Sequence, residues 1–149
     1  MRAAHTRVGV SGHLDQQRTE GLGVFARVGW SQGQVEVFAC SDIKTTVALG
    51  LSLTGTRWGR PTDTVGLAVA VHEASGAAKP FVAAGGLGIL VGDGQLVHAG
   101  PEYILETYYS MAVFKYAKLS LDYQFVDHPA YNRDRGPVSI VGLRVHGEF

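Results

Sequence analysis

The chain has 149 residues, 13 basic and 13 acidic side chains and a formal net charge of zero. That balance gives no electrostatic reason for nucleic acid or an anionic surface as partner. Cys40 is the lone cysteine, which excludes an internal disulfide, and no apolar run reaches the length of a membrane-crossing helix. A membrane reading survives only as a β-barrel, which spans with short alternating strands. The 20 glycines stand against a usual share of about 7%, and only 17% of residues are charged. Together these suggest one all-β domain with tight bends.

In chain order, "MRAAHTRVGV" has a basic start without the apolar run of a secretory leader. Residues 1–20 read as a strand remnant and turn, with "HTRVGV" (5–10) as the tail of a strand. "LGVFARVGW" (22–30) sets Leu22, Val24, Ala26, Val28 and Trp30 against Gly23, Phe25, Arg27 and Gly29. Successive side chains of a strand point to opposite faces, so this is one apolar and one small or polar face. "IKTTVALGLSLTG" (43–55) repeats the pattern, with Val47, Leu49, Leu51 and Leu53 against Lys44, Thr46, Ala48, Gly50 and Ser52. On this basis Leu49→Arg is expected to be damaging and Gly50→Ser mild.

"DTVGLAVAVH" (63–72) opposes Val65, Leu67, Val69 and Val71 to Gly66, Ala68, Ala70 and His72. "YILETYYSMAV" (103–113) opposes Leu105, Thr107 and Tyr109 to Glu106, Tyr108 and Ser110. "LSLDYQFV" (119–126) opposes Leu121, Tyr123 and Phe125 to Asp122, Gln124 and Val126. The last stretch, "RGPVSIVGLRVHGEF" (135–149), carries Val141, Leu143, Val145 and Phe149 on one face and Arg144, His146 and Glu148 on the other.

The connections sort by length. "TRWGRPT" (56–62) and "FKYAK" (114–118) are short, whereas 31–42, 73–102 and 127–137 are long. Outer-membrane barrels have short turns at one end and long loops at the other. Aromatics near the strand ends (Trp30, Trp58, Phe114, Tyr116, Phe149) sit where interfacial girdles form. A soluble sandwich also alternates, with its polar face towards water. A small independent β-barrel or sandwich that binds a ligand is therefore the alternative. Within 73–102, the Gly-rich segment 77–94 suggests a short helix or irregular loop folded over the barrel mouth.

Enzymatic chemistry finds little support. The six histidines lie at 5, 13, 72, 98, 128 and 146, without HExxH or another metal spacing. There is no GxSxG, and "GGLGILVGDG" lacks both the GxGxxG spacing and a Walker lysine. No enzyme activity, cofactor or metal is expected.

The blocks "GLGVFARVGWSQGQ", "RWGRPTDTVGLAVAV", "AAGGLGILVGDG", "PEYILETYYS" and "LDYQFVDHPAYNRDRGPVSIVGLRVHGEF" resemble the C-terminal part of the carbohydrate-selective porin (OprB) family, from about Gly21 to Phe149. The resemblance implies six or seven strands of a sixteen-stranded antiparallel barrel in the outer membrane of a Gram-negative bacterium. Residues 1–149 would then be a single C-terminal barrel segment. It further implies passive diffusion of monosaccharides such as glucose. The final strand would descend to the periplasm, which places loops 31–42, 73–102 and 127–137 outside. Terminal Phe149 resembles the signal read by the barrel-assembly machinery. Closure would need the missing N-terminal strands or self-association, since lipid cannot satisfy an open sheet edge.

A sugar channel needs hydrogen-bonding side chains that replace water, with weak binding so that solute can leave. The expected lumen-facing residues are Arg27, Lys44, His72, Glu106, Tyr108, Asp122, Gln124, Arg144 and His146, with Arg27, Glu106 and Arg144 foremost. Asn132, Arg133, Asp134 and Arg135 form either an external sugar-facing site or, as favoured here, a salt-bridged turn before the last strand.

Overall fold

The computed structural model describes residue 6 and residues 8–32, 43–86 and 96–147. Seven strands follow one another: β1 (Gly9–Thr19), β2 (Leu22–Ser31), β3 (Ile43–Gly55), β4 (Arg60–Ala74), β5 (Glu102–Phe114), β6 (Ala117–Asp127) and β7 (Val138–Gly147). A six-residue helix, α1 (Ala78–Ala83), lies between β4 and β5. The strands form one antiparallel sheet in the order of the chain, each paired with its sequence neighbours. Such a meander follows from continuous alternation, with a tight turn at every other connection. With the side-chain period fixed at two, any one-residue slip would exchange the faces.

The register holds one apolar face across the whole sheet. One row runs Leu14–Ala26–Leu49–Val69–Leu105–Phe125–Ser139, each residue paired with the next. A second runs Val24–Leu51–Leu67–Thr107–Tyr123–Val141. Among the described residues no second layer covers this face: Leu49 is 52% exposed and Leu143 70%. A soluble sandwich would bury these side chains under a second sheet, whereas the described strands form one sheet. The strands of 10 to 15 residues reach or exceed the ~9–11 residues that a tilted strand needs to cross a bilayer.

Connections segregate by end. Glu20–Gly21, the turn around Thr56–Trp58 and Lys115–Tyr116 are tight and share one end, which antiparallel order requires. Gly21 has φ +94°, and a β-carbon built there would come 2.1 Å from Thr54 Oγ1, so only glycine fits that turn. At the same end Asp63 is fully buried at 0% exposure. Arg60 Nε, the Tyr109 hydroxyl (2.6 Å) and the Ala112 backbone N–H (3.1 Å) all donate to its carboxylate. Trp58 Nε1 donates in turn to Tyr109 Oη at 3.3 Å. This network ties the β3–β4 turn to β5.

At the opposite end a small core of Ala74, Val82, Leu96 and Tyr131, flanked by Ile43 and Ala99, joins the two long connections after β4 and β6. His128, Ala130 and Tyr131 all have positive φ, an uncommon conformation for non-glycine residues. Glu102 Oε2 accepts the Ala130 N–H at 2.8 Å, and the Gly100 N–H donates to Tyr131 O at 2.8 Å, so the surroundings hold that backbone in place.

Two expectations change. The first strand runs Gly9–Thr19 and does not end at residue 10. Gln16 and Arg18 interrupt its apolar face, which hides the alternation in sequence. The strands β4, β5 and β6 also extend one to three residues beyond their alternating cores, because backbone pairing continues after apolar patterning stops. Cys40, Glu148 and Phe149 lie outside the described residues.

Candidate functional site: the polar face of the sheet

The face opposite the apolar rows gathers most of the polar candidates. One row reads Asp15–Phe25–Gly50–Ala68–Glu106–Gln124–Ile140, and the next Gln17–Gly23–Ser52–Gly66–Tyr108–Asp122–Gly142. Arg27, His72, Glu106, Tyr108, Asp122, Gln124, Arg144 and His146 all stand on this face. Each pairs with a partner that lies on it too.

Several are held by neighbours. Arg27 Nε donates to His13 Nδ1 at 3.1 Å, and its guanidinium carbon lies 5.0 Å from the Phe25 ring centroid. Because His13 Nδ1 accepts, the proton of the neutral ring is on Nε2, which donates to Asp15 Oδ2 at 2.7 Å. Gln124 Nε2 donates to Glu106 Oε2 at 3.0 Å, and the Ser120 hydroxyl donates to Ser110 Oγ at 2.9 Å. His72 Nδ1 and Thr46 Oγ1 lie 2.8 Å apart. Lys44 sits at the irregular end of β3, beside the shift in pairing between Ile43 and Thr45. Arg144 and His146 are exposed on β7, where His146 faces Lys118 across the pair.

The foremost candidates meet in pairs. A hollow of about 700 Å³ is lined by Asp15, Gln17, Phe25, Arg27, Glu106 and Tyr108. Beside it a hollow of about 540 Å³ is lined by Glu106, Tyr108, Ser110, Asp122, Gln124 and Arg144. Arg27 and Glu106 thus share one hollow, Glu106 and Arg144 the other. Such walls offer donors, acceptors and ring faces together, the chemistry of weak polyol contact.

Two placements were not legible. Asp15 and Gln17 come from β1, whose alternation was hidden. Phe25 was assigned to the polar face without a role, yet its ring lies over Gly50. A β-carbon on Gly50 would come 2.3 Å from that ring, so Gly50→Ser must displace Phe25 and is not the mild change the sequence suggests.

The external stretch 132–135 is folded against its neighbour. Asn132 is buried, pairs with Ala99 and accepts the Asp134 N–H on Oδ1 at 2.9 Å. Asp134 Oδ2 lies 2.8 Å from His98 Nδ1, the Arg133 side chain covers Gly100, and the Arg135 N–H donates to Asn132 O at 3.1 Å. Among the described residues, no group of three or more His, Cys, Asp and Glu side chains could hold a metal ion.

A continuous antiparallel meander with one lipid-compatible face, one polar face and turns sorted by end defines a segment of transmembrane β-barrel wall. The family model for the carbohydrate-selective porin, OprB family, matches residues 2–149, and the chain belongs to that family. Among solved structures, the chain is similar to the high-pH structure of Pseudomonas putida OprB, with a TM-score of 0.71 at 18% identity. The match covers 95% of this chain and 34% of that one, so the chain spans about a third of that protein's length. Comparison with curated protein sequences gives no match.

Proposed function

We propose that this chain forms part of the wall of an outer-membrane channel through which carbohydrates, monosaccharides such as glucose among them, diffuse passively. The observation that carries this is the register, continuous through the middle of all seven strands with irregularities only towards strand ends. It presents exposed Leu, Val and Tyr side chains to one medium and the Arg27, Glu106, Tyr108 and Asp122 rows to another. A side chain of the first set suits lipid, and one of the second suits a water-filled lumen. Family membership supports the solute class. No chemical step is needed, since passive flux uses only weak, reversible contacts.

The sheet of described strands is open at β1 and β7. Lipid cannot satisfy unpaired backbone edges, so in the membrane these two edges pair with further strands or with other copies. The test is direct. Outer membranes of the native bacterium are separated and blotted, with and without boiling, using an antibody to residues 127–137. Isolated material is then placed in vesicles for glucose uptake. A heat-shifted outer-membrane band with glucose flux is expected. A band confined to the soluble fraction and unchanged by heating would overturn the proposal.

A further inference from the structure

We infer that Tyr108 is a stacking residue for the ring of a neutral pyranose, with Asp122 accepting one of its hydroxyls. This rests on the channel reading above and names the contact within it.

Tyr108 stands near the centre of the polar face, on the boundary shared by the two hollows. Its same-row neighbours are Gly66 on β4 and Asp122 on β6. A β-carbon built on Gly66 would come 2.1 Å from a Tyr108 ring carbon, so the ring is seated in the space that the absent side chain leaves. Seating matters because an immobilised ring loses little entropy when a solute arrives. The Cδ1, Cε1 and Cζ side of the ring lies against Gly66, and the residue as a whole is half-buried. The second ring on this face, Phe25, is different: the Arg27 guanidinium lies over it.

The polar groups around Tyr108 are not equivalent. Glu106 is bound by Gln124, and Ser110 by Ser120. Asp122 has no side-chain partner among the described residues, and it lies half-buried in the smaller hollow. An ionised carboxylate accepts strong hydrogen bonds from hydroxyls. A pyranose offers both complements at once: CH groups for the ring face and hydroxyls at its rim.

The experiment uses channels isolated from outer membranes of strains whose own gene carries each substitution, recorded in planar bilayers as glucose is titrated. The readout is the glucose concentration that halves the ion current. Tyr108→Ala should raise it roughly three- to tenfold, the range that a seated aromatic contact supplies. Tyr108→Phe should leave it within about twofold, since the ring is retained. Gly66→Ala keeps Tyr108 but displaces its ring, and should raise it as Tyr108→Ala does. Asp122→Asn should raise it too. Equal half-blocking concentrations in wild type, Tyr108→Ala and Gly66→Ala would overturn the stacking site while leaving the channel reading intact. A conducting wild-type channel that no glucose concentration blocks, in vesicles that take up no glucose, would overturn both. Should Tyr108→Ala fail to show the heat-shifted band, Gly66→Ala and Asp122→Asn decide the question.

Discussion

Leu49→Arg isolates the claim that the apolar face meets lipid. Leu49 sits at the middle of β3, between Ala26 and Val69, in the row that crosses all seven strands. A cation on the lipid face of a barrel costs about 2–4 kcal/mol at the bilayer midplane and about 0–1 near the interface. Leu53 lies four residues on, which at ~3.3 Å per residue and a tilt near 40° is about 10 Å closer to the short-turn end. Leu53→Arg should therefore cost about 2 kcal/mol less than Leu49→Arg. The control is Ala70→Arg on the opposite face, where Ala48 and Ile104 are the paired neighbours and no cation stands directly opposite. Water in a lumen would leave that charge solvated, so its cost should stay under about 1 kcal/mol. The assay is reversible urea unfolding of the heat-shifted form in lipid vesicles. A result in which Ala70→Arg is the worst of the three, or in which depth has no effect, would refute the assignment of faces.

Asp63→Ala removes the acceptor of three donors and leaves the Ala112 N–H and Tyr109 hydroxyl without it. It should lower the temperature at which the heat-shifted band disappears more than Tyr109→Phe does, because the second change removes only one of the three donors to Asp63, together with the longer bond from Trp58 Nε1. Gly21→Ala forces a side chain into φ +94° against Thr54 and should destabilise by more than about 1 kcal/mol, measured by the same urea transition. Glu102→Ala frees the Ala130 N–H, and should speed protease cleavage within 127–137 on intact cells without altering the heat shift.

What sequence made legible was whatever depends on period two. Leu49, Val69 and Leu105 alternate cleanly in one dimension, and they are neighbours in two because register preserves face. The polar-face set followed for the same reason. Illegible parts depend on contacts between segments far apart in the chain. Asp63 looks like a turn residue, and only the approach of Tyr109 and Ala112, 46 and 49 residues away, makes it a buried anchor. Tyr131 gives no sign in its own stretch that it will join Val82 and Leu96 in a core. Parity places Lys44 on the polar face, at a point where the pairing between Ile43 and Thr45 is irregular.

The glycine content illustrates the same division. Read as composition, it suggested tight bends, and Gly21 and Gly59 do serve turns with positive φ. Yet Gly23, Gly29, Gly50, Gly66 and Gly142 lie inside strands, where glycine ordinarily weakens the ladder. All five belong to the polar face, and two of them seat rings from the adjoining strand: Gly50 under Phe25, Gly66 under Tyr108. A curved wall has less room on its inner side than outside. Removing a side chain beside each ring lets the ring lie against the wall instead of standing into the passage. The cost in strand propensity is met by ring contact, and the inner face keeps the depth a solute needs. That account separates substitutions that composition alone would treat alike. Gly29→Ala would approach only Thr46 Cγ2, at 2.8 Å, whereas Gly66→Ala must turn Tyr108. Narrowing of the channel, read as lower ion conductance without sugar, should therefore follow Gly66→Ala and Gly50→Ala but not Gly29→Ala, and an equal loss in all three would defeat the seating argument.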